Sequence, residues 1–259
     1  MGKINKLLLN SGQPIPFEAA QLIITPPKVK TIAFIGEETF YSGCTLLAYG
    51  KNLIKTEDNS VINALSDFEI IMSVLMDENP DIQNFGASVQ MVLELIFPNH
   101  EISILDQGIA LKHDNQVGFI SNMNYNDFKE ILQEMFCLDY GIGGQEYNPA
   151  GKKAQEIANK LRAAKAKRQQ NKMQSDEGVN ILDRYVSLLA VGEHKNRQDL
   201  LDLTVYQITQ EFRTYQAKEA WDSYMNALRA GADPEKLDTV HYWMDFDKQN
   251  LEDETINYV

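Results

Sequence analysis

Signals for export or membrane insertion are missing from this sequence. The opening residues, MGKINKLLLNSGQPIPFEAAQ, hold only a three-leucine run before polar residues and prolines. That run is too short for the apolar region of a signal peptide, and no small-residue cleavage pattern follows it. Lys6 stands where a myristoylation signal needs Ser or Thr. The longest apolar-rich run, near Ile70–Met76, is far short of a membrane span. Cysteine is equally scarce. Cys44 and Cys137 lie far apart and outside any CxxC. The expectation is a soluble, intracellular chain with both thiols buried.

Catalytic frames are missing as well. The four histidines, His100, His113, His194 and His241, are dispersed, with no HExxH and no Cys/His cluster. A zinc centre needs such clustering, so no metal and no cofactor are expected. The run GIGG (141–144) lacks the Lys-Ser/Thr that completes a phosphate-binding loop, and no GxSxG elbow is present. Glu211 and Glu219 lie two turns apart on one helix but have no Glu-x-x-His partner, so they read as a solvated face. Asp199 and Asp202 precede a helix and suit its positive end. His194 reads as a surface loop residue, and His241, beside Tyr242 and Trp243, as a partly buried one. No catalytic residue is assigned, and the chain is not expected to be an enzyme.

Charge is the most uneven property. The chain carries a net −13, yet residues 152–172 hold eight basic residues against one acid, Glu156. That local +7 leaves −20 on the remainder, a field that repels nucleic acid at long range. Nucleic-acid binding would rest on 152–172 alone. That segment has no aromatic side chain to stack on a base. Its alanines and glutamines favour a helix. Attraction to an acidic partner, or plain solvation, fits it better than a nucleic-acid arm.

The pattern of the first half is mixed. QLIIT (21–25), TIAFIG (31–36) and TLLAYG (45–50) read as short strands, the first two separated by Pro26-Pro27. A helix follows from Asp58-Asn59-Ser60, with Val61, Leu65, Phe68, Ile71 and Leu75 on one face; Asn79-Pro80 ends it. A second helix fits 81–97, with Ile82, Phe85, Val89, Val92 and Ile96 inward. EISIL (101–105), GIALKH (108–113) and VGFIS (117–121) read as three antiparallel strands with tight turns. Asn124 or Asn126 caps a third helix bearing Phe128, Ile131, Leu132, Met135 and Phe136.

The second half reads as helix. Asn148-Pro149 opens a stretch with the narrow stripe Ala154, Ile157, Leu161 and Ala164. NILDRYVSLLAVG (180–192) closes at Gly192. Thr204 and Gln207 have capping-box spacing, and Leu203 and Ile208 occupy hydrophobic-staple positions. The helix they start carries Val205, Ile208, Phe212 and Tyr215, then meets Glu219 and shifts its apolar phase to Ala217, Trp221, Tyr224 and Leu228. Its length, about 26 residues, is unusual for a globular domain. A short helix at 235–244 precedes an acidic tail. The fold class expected is α+β: a mixed α/β N-terminal domain (1–140), then a Gly hinge and basic helix (141–175). An all-α helical domain (176–245) and an acidic disordered tail (246–259) complete it.

Several stretches resemble one group of proteins. They are FPNHEISILDQGIALKHDN, NYNDFKEILQEMFCL, the basic segment EYNPAGKKAQEIANKLRAAKAKRQQNK, and ILDRYVSLLAVG onward through RAGAD. The local motifs are Asn148-Pro149-Ala150-Gly151, Leu203 to Gln207, and Ala230-Gly231-Ala232-Asp233. Over roughly 90–244 the chain resembles virion-morphogenesis proteins of long-tailed bacteriophages of Gram-positive bacteria, some of them tail-assembly chaperones that hold the tape-measure protein. The resemblance implies an interaction role in the host cytoplasm or the virion, with another virion protein, a tail protein above all, as partner. It carries no active-site residues. Ala154, Ile157, Leu161, Trp221 and Trp243 are the candidate apolar contacts. Lys160, Arg162, Lys165 and Arg168 are the candidate charged ones. A structural or connector protein of the virion, and a nucleic-acid-binding regulator acting through 152–172, are the alternatives.

Overall fold

The computed structural model describes residues 4–50, 65–77, 79–114, 116–138, 180–234, 237, 240 and 242–245. The Gly hinge at 141–144, the basic helix, the helix start at Asp58–Ser60 and the acidic tail lie outside these residues. The chain opens with α1 (Lys6–Ser11) and a hairpin of β1 (Ile15–Phe17) and β2 (Leu22–Ile24). Helices α2 (Val29–Ile35), α3 (Glu37–Tyr49), α4 (Asp67–Met76) and α5 (Pro80–Ile96) follow. Strands β3 (Glu101–Leu105), β4 (Gly108–His113) and β5 (Gln116–Ile120) form an antiparallel meander, and α6 (Tyr125–Met135) follows it. The C-terminal part is helical: α7 (Ile181–Gly192), α8 (Arg197–Leu201) and α9 (Val205–Arg229), then a 3-10 turn at Trp243–Asp245. The α+β architecture and the helical C-terminal region agree with the sequence.

Two expected strands are helices. TIAFIG lies in α2, where Val29 and Ile32 are buried and Ile35 is partly buried, a spacing of three. A strand would have put Thr31, Ala33 and Ile35 on one face instead. TLLAYG is the end of α3. Its burial pattern starts upstream, at Phe40, Gly43, Cys44 and Leu47, and is helical there. The local β-rich composition is overridden by packing. Helix α3 lies directly against α5, because Gly43 has no side chain. A Cβ there would overlap the Ser88 carbonyl.

Helix α4 starts at a capping box: Ser66 Oγ accepts from Glu69 N, and Glu69 Oε2 accepts from Ser66 N at 2.6 Å. In α5 the inward set is shorter than its spacing implies. Val89, Val92 and Ile96 are buried, whereas Phe85 is exposed. Asn124 occupies the cap position of α6, but its side chain does not cap. It accepts from Ser121 N and donates to the carbonyls of Phe119 and Ala19, tying the helix start to the sheet and the hairpin.

Helix α6 is the centre of the core. Phe128 stacks near Phe17 and Phe97, and Tyr125 meets Phe68. The last carbonyls of α3 would otherwise be unsatisfied. Tyr125 Oη donates to Leu47 O at 2.6 Å, and Gln133 Nε2 donates to Ala48 O at 3.0 Å. Burial pushes the Tyr125 hydroxyl far above the ordinary phenol range, so it remains a donor. Cys44 is buried as expected, but Cys137 is only half-buried. It has a positive φ of 50°, at the loop where α6 ends.

The C-terminal helices are stitched to the N-terminal elements, and one cluster of buried side chains runs from Leu9 to Phe212. Val29 N donates to Leu203 O at 2.9 Å beside a lone bridge from Lys28 to Thr204. Gln207 Nε2 donates to Asn10 O at 2.7 Å. Glu37, in the first turn of α3, reaches the start of α7 and accepts from Leu182 N at 2.7 Å. Asp202 ends α8 just before the start of α9, where the sequence placed it. Its carboxylate pairs with Lys30 and Lys28, and the Lys30 hydrogen bond holds it below the usual carboxyl range.

Candidate partner-binding surface

The capping box of α9 forms as its spacing demands. Thr204 Oγ1 accepts from Gln207 N at 3.3 Å, and Gln207 Oε1 accepts from Thr204 N at 2.8 Å. Leu203 and Ile208 both join the core at this start. The first turns are anchored: Val205, Tyr206, Ile208, Thr209 and Phe212 are buried, and Phe212 stacks on Tyr185 of α7 with ring centres 4.0 Å apart.

From Arg213 onward no residue of α9 is buried. The remaining turns run for roughly 25 Å at 1.5 Å per residue. Two links to α7 support the near end. Tyr215 lies over Gly192, where any Cβ would overlap its ring, and Lys218 donates to Glu193 at 3.2 Å. That pairing raises the Lys218 ammonium above its ordinary value. Lys195 bonds Glu211, so this glutamate is a paired surface group, as the absence of a Glu-x-x-His frame implied. His194 sits exposed in the loop between α7 and α8.

The far end carries aromatic side chains. Trp221 lies 6.0 Å from Tyr224 and meets Tyr242 edge-on at 5.3 Å; Tyr242 is 5.8 Å from Trp243. Thus two of the residues chosen from sequence, Trp221 and Trp243, are brought together through Tyr242. Both are half-buried. Tyr242 is 43% exposed and Met244 64% exposed, so the cluster has an open apolar side. Tyr242 stands out in the sequence only as a neighbour of His241, and Met244 carries no signal in the spacing. Of the short helix expected at 235–244, the described residues show only a 3-10 turn, at Trp243–Asp245. The other candidates, Ala154, Ile157, Leu161, Lys160, Arg162, Lys165 and Arg168, lie outside the described residues.

The phase shift seen at Glu219 has a structural counterpart. Before it, the apolar face of α9 meets the core. The shifted set, Ala217, Trp221, Tyr224 and Leu228, is half-buried on the part of the helix that has left the core. Aromatic rings held in this way are rigid and amphipathic, the type of side chain that dominates interface energetics. Among the described residues no group of three or more His, Cys, Asp or Glu is placed to hold a metal ion, and no helix is long and apolar enough to cross a membrane.

No curated protein and no solved structure matches the chain. Residues 169–247 match the family model described as the YomV second domain. The match spans α7, α8, α9 and the 3-10 turn, and so contains the whole aromatic cluster. This region of the chain is similar to a phage-associated domain family.

Proposed function

We propose that the chain is a phage morphogenesis factor that acts by binding another virion protein and performs no catalysis. Its nearest functional type is a tail-assembly chaperone, with the tape-measure protein as the partner. The observation that carries this reading is the distal half of α9. It leaves the core after Tyr215 yet presents Trp221, Tyr224 and Leu228 on one face, joined to Tyr242 and Trp243. A helix stripe of this kind suits a partner helix laid along it. Similarity to a phage-associated domain over this same region supports the setting.

The test is a pull-down of the tagged protein from infected host cells, with partners identified by mass spectrometry, beside the protein composition of purified particles. Recovery of a tail protein, with this chain missing from particles, is the expected outcome. Presence in particles at fixed copy number would make it a virion component instead. Recovery of nucleic acid alone, with a gel shift at physiological salt, would move the function to residues 152–172.

A further inference from the structure

We propose that His100 and His113 form a two-histidine site for a divalent transition-metal ion such as Zn2+. The register of the meander brings them together. Glu101 pairs with Lys112, so the next positions outward, His100 and His113, face each other at the open end of β3 and β4. They lie in the row beyond Ile102 and Leu111, on the core-facing side of the sheet. Their ring centres are 5.0 Å apart. Two imidazoles bound to one tetrahedral zinc have ring centres about 5 Å apart, given Zn–N bonds of about 2.0–2.1 Å.

The hydrogen bonding favours ligation. His100 Nδ1 lies 3.1 Å from the Pro98 carbonyl, which can only accept, so Nδ1 carries the proton and Nε2 keeps its lone pair. His113 Nδ1 lies 3.6 Å from an Asp114 carboxylate oxygen, an electrostatic neighbour beyond hydrogen-bond reach that leaves the tautomer of His113 free. Metal-bound histidines carry the kind of support that His100 has on the second nitrogen. The His100 ring is held edge-on by buried Phe97, with ring centres 5.8 Å apart. Gln116 continues the row on β5, opposite His113. With only two nitrogen ligands, water completes the coordination, so the site takes the ion with modest affinity and remains open to a further ligand.

The test titrates Zn2+ into the full-length untagged chain near neutral pH by calorimetry, with histidine-ring NMR as a second readout. One saturable site in the micromolar range is expected, with shifts confined to His100 and His113. His100→Asn and His113→Asn, each checked for an unchanged melting temperature, should weaken binding roughly tenfold or more, while His194→Asn leaves it unchanged. Equal binding by all four proteins, or none by the parent chain, would overturn the proposal. If either His variant fails to fold, the ring shifts of the parent chain alone decide.

Discussion

At the scale of the residue, two side chains hold the C-terminal helices in place. Thr204 closes the capping box of α9 and is itself buried at 3% exposure. Thr204→Ala removes the hydroxyl acceptor and leaves Gln207 N without its partner. The expected loss is about 1 kcal/mol, read from chemical denaturation. Glu37 is the second. Burial raises its carboxyl above the ordinary value near 4.5, against the lowering effect of the backbone N–H groups of Leu182, Asp183 and Ile181. The native state therefore holds this proton more tightly than the unfolded chain does. Its contribution is fully present below the ordinary value and is lost as pH rises through the raised one. Glu37→Gln keeps an oxygen for Leu182 N and removes the charge. The variant should gain stability relative to the parent as pH rises from 4 to 7, measured by melting temperature across that range. A constant difference would show that Glu37 titrates alike in both states.

At the scale of the element, the contact between α3 and α5 depends on a missing side chain. Gly43→Ala would push a methyl group into the Ser88 carbonyl and the Val92 side chain. Backbone cannot yield as a side-chain tip does, so the helices must part. The expected cost is about 1–3 kcal/mol, seen as a lowered denaturation midpoint with an unchanged slope. This contact also explains where the sequence was legible and where it was not. The meander and α6 announced themselves through alternation, turn residues and a clean helical stripe. Helix α9 did so through its capping box. Helices α2 and α3 did not, because their visible fragments, TIAFIG and TLLAYG, are short and β-rich. Only the longer set Phe40, Cys44 and Leu47 reveals the helical spacing. Helix α1 and β1 carry too few residues for any periodicity to show.

At the scale of the whole molecule, one buried core spans both halves of the sequence, and α9 leaves it midway. The sequence marked the change through the phase shift at Glu219, four residues past Tyr215, the last α9 side chain packed against the core, and it chose Trp221 and Trp243. It did not show that Tyr242 would join them, because that contact joins α9 to a residue beyond its end, which helical spacing does not report. This separation of core from surface makes the binding reading testable. Trp221 lies outside the buried set, so its removal should leave the fold nearly intact. Trp221→Ala should weaken partner binding by about 2 kcal/mol or more, the range of an aromatic anchor, while the melting temperature stays close to that of the parent. Reversing Lys160, Arg162, Lys165 and Arg168 should act differently. Complementary charge steers encounter, so its reversal should slow association, and the difference should vanish at high salt. Surface-plasmon measurements with the recovered partner at low and high salt separate the two effects. If Trp221→Ala binds as the parent does, the distal half of α9 is not the interface. A charge-reversed variant with an unchanged association rate would leave the basic segment without a part in binding.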